Sequence, residues 1–452
     1  AGDGKDLTSE NNVIIGTGNY IGGNVGFQGW TYTNLISKNN TITGINYVGG
    51  NSGGQGWSTI RTATSENNKI KGKNYVGGCV GYGESYYSYI ITARSKGANQ
   101  EITGESYVGG VVGRTAGRTK DAKAEDCVIT GTGNYVGGVI GSAEYTNTSI
   151  SSTNSEYYTV SGANAKNVTV TGNMNYVGGI TGWQAGTLYG AVLENSTVTC
   201  KGSNVGGLVG FYTGYNGTSA GSISSSNFFL WHSYCANSDI KGSRNVGGIA
   251  GNFVYGNIQY CYVANTSVVA ENNGAGGLVG YFNNSKLSNI QYKATIKYNF
   301  IANTLENKII TGNNSVGGLV GIAAKKLKFD EDIDTYNNIE CNLIVADIQS
   351  SQNYVDMGIG SVSENEIGTE QGKYMNNIYI YDCSYLNGVQ VGGIKDEKEL
   401  YTMVSSGELK TNIYTKNEKI LDEEGKVIGN KGLNFGTARY YYNNGYFPIL
   451  KN

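Results

Sequence analysis

Few residues in this chain could do chemistry, and they are poorly grouped. There is one histidine, His232, in "LWHSYC", close before Cys235. A His–Cys pair can serve nucleophilic catalysis when a third group orients the base. None is apparent beside it, and chance adjacency inside an insertion is the expectation. Seven cysteines occur, Cys79, Cys127, Cys200, Cys235, Cys261, Cys341 and Cys383. None lies in a CxxC pair, so zinc-ligand spacing is missing. The tightest gap, Cys235 to Cys261, makes no dense disulfide framework, and small buried hydrophobes are the simpler reading. The acidic run "DEDIDT" carries Asp330, Glu331, Asp332 and Asp334. Its oxygens suit Ca²⁺, with Asp330, Asp332 and Asp334 as candidate ligands, but the glycine and distal glutamate of an EF-hand loop are missing. A solvated loop is therefore expected, and no other cofactor is implied.

The aromatic residues are more orderly. Tyr numbers 36 against 10 Phe and 4 Trp, a preference for rings with one wet end. Six tyrosines recur before an apolar residue and a glycine pair: Tyr20, Tyr47, Tyr75, Tyr107, Tyr135 and Tyr176. The position then becomes Asn204, Asn245, Gly274 and Ser315. Strand alternation places it opposite the inward Val or Ile, hence outward. Six rings one strand spacing apart would form a ladder, either self-stacked to shield the glycines or offered as an aromatic binding stripe.

The elements that would position these rings follow from the repeat. The first glycines of the pairs are Gly22, Gly49, Gly77, Gly109, Gly137, Gly178, Gly206, Gly247, Gly276 and Gly317, with gaps of 27, 28, 32, 28, 41, 28, 41, 29 and 41. "YVDMGIG" at Tyr354 and "VGGIK" at Val391 continue the series loosely. Each pass holds three short β-branched segments, such as "TITG" at Thr41, the YVGG phrase, and "TIRTATS" at Thr59, bounded by Gly, Asn or Ser. A period near 28 with three short strands predicts a right-handed parallel β-solenoid over residues 1–394, of about ten to twelve rungs. A propeller blade wants a longer unit with four strands, and a leucine-rich repeat a different consensus. At about 4.8 Å per rung the rod would be roughly 50–55 Å long. The glycine pair is expected to bend the chain, one glycine taking positive φ or letting neighbouring rungs approach closely. "GTGNYIG" at Gly16 has glycines like those of a dinucleotide loop, but no helix follows and the phrase recurs in every pass. A Thr array suited to ice is broken by Ile15, Lys71 and Lys241.

"VGGLVG" at Val205 and Val316, "AGGLVG" at Ala275 and "VGGVIG" at Val136 resemble the GLUG motif. The resemblance covers residues 12–321 well and 322–394 loosely. GLUG repeats occur in bacterial surface adhesins and in the non-catalytic part of secreted IgA-specific metallopeptidases. The resemblance implies an extracellular or cell-surface protein. The peptidase's HExxH is missing here, so any catalytic domain would lie outside this chain.

Residues 395–452 leave the repeat. Leu400, Met403 and Val404 have helical spacing, and a hairpin is expected around Asn444-Gly445, so a small α+β cap or joining module is predicted. No equivalent precedes the first rung, which is expected to meet either preceding sequence or another copy. The 41-residue passes are expected to place their extra residues on one side of the rod, with "GYNGTSAGSISSSNFFLW" protruding or covering a face. A net charge of −2 gives no footprint for nucleic acid, and no apolar run is long enough to span a membrane. The expected function is non-catalytic: an adhesive or structural rod, able to self-assemble, whose partners are its own copies, surface glycans or proteins. The alternatives are a peptidase arm, and a carbohydrate-active β-helix enzyme, which would need two clustered carboxylates.

Overall fold

The computed structural model describes residues 2–144, 159–214, 228–283, 294–297, 299–303, 308–324, 339–352 and 354–362, then 366–367, 375–380, 384–386, 389–391, 419–421, 427–430, 440–441 and 449–450. It is a parallel β-solenoid, all-β, with no helix among the described residues. A representative rung runs through strands Tyr32–Lys38, Thr41–Thr43, Asn46–Gly49 and Ser52–Gln55. The YVGG segment is thus bent into two strands at the glycine pair, where the sequence placed a bend.

Register is strict. Ile42, Ile70, Ile102, Ile129, Val170 and Val198 stack in one inward column, and Val48, Val76, Val108, Val136, Val177 and Val205 in another. All are essentially sealed from solvent. Each buried side chain of this size contributes roughly 1.5–3 kcal/mol, and period-two alternation keeps the same residue of every rung inside. "YVDMGIG" forms an eleventh station, with Val355 on Val316 and Ile359 on Val320. Just ahead of the phrase at Val391, Val389–Val391 pairs antiparallel with Ser384–Leu386; the glycine pair of that phrase lies outside the described residues.

Each rung turns at three columns of positive φ. One is Asn11, Asn39, Asn67, Asp126, Asn167, Asn195, Asn237 and Asn265. A second includes Asp6, Asn34, Thr62, Thr92, Asp121, His232 and Tyr260. The third is the tyrosine column itself, from Tyr20 at 60° to Tyr176 at 65°, continued by Asn204, Asn245, Gly274 and Ser315. Of the two roles expected of the pair, positive φ falls instead to the residue two places ahead of it. The pair serves close approach. A Cβ on Gly50 would fall on the carbonyl oxygen of Gly78, and one on Gly78 on that of Gly110.

Beside the asparagine corner runs a buried amide ladder. The backbone N–H groups of Asn12, Asn40 and Asn68 donate to the side chains of Asn40, Asn68 and Gln100 at 2.8, 2.6 and 2.6 Å. Ser196 and Ser238 take over the role further along, accepting from the N–H groups of Val168 and Ser196. A buried backbone donor must find a partner, and here the next rung supplies it. The helical stretch around Leu400 and the Asn444-Gly445 turn lie outside the described residues. On either side of that turn, Tyr440–Tyr441 and Ile449–Leu450 pair antiparallel.

Candidate functional site

The six tyrosines form one ladder. Ring centroids lie 4.5 Å apart for Tyr20–Tyr47, then 4.9, 4.7, 4.8 and 5.2 Å down to Tyr135–Tyr176, with interplanar angles of 27° or less. The end rings meet Phe27 and Phe211 in T-shaped contacts. All six are half-buried. They line one border of a sheet whose outward column reads Phe27, Gly54, Tyr82, Arg114, Ser142, Trp183 and Phe211. Tyr82 packs against Tyr47 and Tyr75, and Trp183 against Tyr135.

The column has one charged centre. Arg114 pairs with Glu144 at 2.5 Å and donates to the Tyr82 hydroxyl at 3.1 Å. Ser142 donates to the other Glu144 oxygen at 2.7 Å. The guanidinium sits 5.3–6.0 Å from the rings of Tyr82, Tyr75 and Tyr107, within cation–π range. Burial, with the Glu144 charge adding to it, pushes the Tyr107 hydroxyl up to about 12. Neutral Tyr107 is therefore the form the folded chain holds.

This geometry limits what the ladder can offer. Stacking a sugar or another ring needs a free aromatic face. In the ladder the faces are taken by neighbouring tyrosines, leaving edges and hydroxyls outward. The most exposed large rings lie elsewhere, at the corner that ends this sheet. There Trp57 is 72% exposed, Trp30 53% and Tyr87 43%. Tyr87 is packed between Tyr86 at 4.0 Å and Trp57 at 5.2 Å, which leaves Trp30 and Trp57 as the rings presented to solvent. Sequence reasoning passed over these residues; the signal was "QGW", written at Gln28 and again at Gln55. No family model, curated protein or solved structure matches this chain. What it does has to be argued from these residues.

The remaining candidates are placed as follows. His232 is a corner residue with φ of 52°, its ring stacked on Tyr260 at 5.1 Å. Cys235, its sequence neighbour, is sealed in the core, where burial pushes its thiol up to about 12. Cys79, Cys127, Cys200, Cys235 and Cys261, the cysteines whose side chains are described, are all free and buried, and none of these five offers the exposed thiolate that reactivity requires. Asp330, Asp332 and Asp334 lie outside the described residues. A shallow depression lined by Thr311, Asn313, Gln349 and Ser351 includes one carboxylate, Glu271, which Lys241 holds at 2.9 Å.

In the long rungs the described residues stop directly after the same sheet, at Glu144, Gly214, Asn283 and Ala324. The strands that end there are in register along the rod. The extra residues of these passes, among them residues 215–227 of "GYNGTSAGSISSSNFFLW", lie outside the described residues.

Proposed function

We propose that this chain is a non-catalytic, extracellular bacterial surface protein, a rigid β-solenoid rod with an adhesive or structural role. The observation that carries this reading is the division of labour between the two sides of the sheet. Side chains that could react are spent inside the rod or at its turns: Cys235 in the core, His232 at a corner, the amides in a backbone-bonding ladder. The outward side holds its tyrosines in one ladder that stiffens the rod, with Trp30 and Trp57 exposed at the corner beside it, on the kind of extended surface that solenoids use for binding. The GLUG-like phrases support the same location and role. Its partners on this reading are surface glycans or proteins, or further copies of the chain.

Beads coated with the chain and passed in flow over immobilised glycoproteins and polysaccharides test this. Retention that soluble chain competes away is expected on at least one surface, or else a concentration-dependent polymer in sedimentation. Retention no better than that of bare beads on every surface, together with a monodisperse monomer, would overturn it.

A further inference from the structure

The corner that ends the aromatic sheet presents Trp30, Trp57 and Tyr87 on three successive rungs. Register sets the order: Gln28 pairs with Gln55 and Gln55 with Gly83, so the turns that follow them lie one above another. The turns are pinned. The Gly56 N–H donates to the Gln28 carbonyl at 2.9 Å, and the Ser58 N–H to the Gly56 carbonyl at 2.9 Å, leaving Trp57 at the apex. The Ser88 hydroxyl donates to the same Gly56 carbonyl at 2.6 Å, and the Ser88 N–H to the Ser85 carbonyl at 2.8 Å. The Thr31 N–H, next to Trp30, donates to Asp3 at 3.0 Å. Large apolar rings are thus held out into water on backbone that has already lost its freedom, so little ordering cost remains for binding.

We propose that this corner is the docking site for a neutral pyranose polysaccharide, whose sugar rings stack on Trp57 and Trp30, with Tyr87, held by Tyr86 at 4.0 Å, backing Trp57. This rests on the adhesive reading above and names its ligand class. Area argues against a protein partner. Rings of 150–250 Å² each, scaled by exposures of 72%, 53% and 43%, offer on the order of 400 Å². A stable protein interface takes about 800 Å² from each side. Beside Trp30, Gly29 is exposed with open space around its Cα and Thr31 is half-exposed, leaving room for a sugar and a hydroxyl within its reach. Charges of both signs are tied into this corner: Asp3, Glu84, whose N–H bonds to the Gln55 carbonyl at 2.9 Å, and Arg118, whose N–H bonds to the Ser88 carbonyl at 2.9 Å. The corner therefore offers an ionic polymer no field of a single sign, which suits a neutral one. The rung step of about 4.8 Å is close to one sugar residue of an extended chain, so successive rings can meet successive sugars.

The test is affinity electrophoresis and titration of the whole chain with soluble mixed-linkage β-glucan, galactomannan, N-acetylated chito-oligosaccharide and, as the anionic control, alginate. Retardation by at least one neutral probe is expected, with tryptophan emission shifted to shorter wavelength. Trp57→Ala should weaken binding at least tenfold and Trp30→Ala/Trp57→Ala abolish it, with unchanged melting temperatures. Undiminished binding by the double variant, or preference for alginate, would overturn the site while leaving an adhesive rod intact. So would capture of coated beads by proteins alone, without retardation by any neutral probe. Failure of every bead assay would instead remove the adhesive reading itself.

Discussion

Tyr75 stacks on Tyr107 with ring centroids 4.7 Å apart, and both residues hold the backbone at positive φ, 59° and 58°. The two facts belong together. A left-handed backbone costs a non-glycine residue roughly 1–2 kcal/mol. An aromatic pair returns about 0.5–1.5 kcal/mol beyond its burial. Tyrosine is tolerated at this corner because each ring has a neighbour above and below. Where the stack ends, the column turns to Asn204, Asn245 and Gly274, residues that accept the conformation without help, and then to Ser315, whose hydroxyl accepts from Ser361 at 2.8 Å.

That balance predicts an unusual substitution order. Tyr75→Asn loses two stacking contacts but relieves the backbone, and should cost about 1–2 kcal/mol. Tyr75→Val loses the same contacts and adds β-branched strain, and should cost about 1–2 kcal/mol more. Chemical denaturation of the two variants checks the order. Equal losses would remove the backbone argument.

The same ladder bears on binding. Replacing Tyr75 and Tyr107 together by Ser should lower the melting temperature and leave polysaccharide or surface binding within twofold. Binding lost at an unchanged melting temperature would restore the ladder itself as the contact stripe.

The glycine pair should be intolerant for a different reason. Gly78→Ala places a Cβ on the Gly110 carbonyl oxygen, with the Ser95 Cβ 2.8 Å away. Backbone cannot yield as a side-chain tip can, so a loss of about 3 kcal/mol or more is expected, or failure to fold. A soluble variant with wild-type melting temperature would show that the rungs can separate.

Asn68 sits in the middle of the amide ladder. It accepts from the Asn40 N–H at 2.6 Å and donates to the Ser37 carbonyl at 2.9 Å and the Ser65 hydroxyl at 2.8 Å. Asn68→Ala leaves buried groups unpaired on two rungs, at about 1–3 kcal/mol each. Hydrogen exchange should show early opening of the Asn40 amide. Exchange as slow as in the wild type would place its partner elsewhere.

Fold and ladder were legible because a solenoid repeats its chemistry. One inward residue, seen ten times at a regular spacing, fixes both register and face. The positive φ at the tyrosines was less legible, since tyrosine is not a usual residue there. The clue lay in what replaces it: a column reading Tyr, then Asn, Asn and Gly is a left-handed corner. The Trp57 corner was hidden for the opposite reason. Outward residues at a turn face no packing constraint, so they do not repeat from rung to rung, and "QGW" appears only twice.

Alkaline pH should loosen the rod at the ladder. The Tyr107 hydroxyl, pushed up to about 12 by burial, ionises less readily folded than unfolded. Its contribution is therefore complete below about pH 10, the ordinary tyrosine value, and lost as pH rises towards 12. Tyrosinate absorbance should lag behind that of the unfolded chain through this window and then rise with the loss of β-structure. A titration matching free tyrosine would mean that the ladder rings are wet.

The claim most open to a single decisive measurement is that this rod binds without reacting. The whole chain is incubated with the neutral polysaccharide that retards it most, and bound polymer and new reducing ends are followed together over a day. The account predicts saturable retention, polymer of unchanged length and no reducing ends above the polymer-only control. Steady release of reducing ends, abolished by substituting a carboxylate on the rod surface, would contradict it and make the solenoid an enzyme.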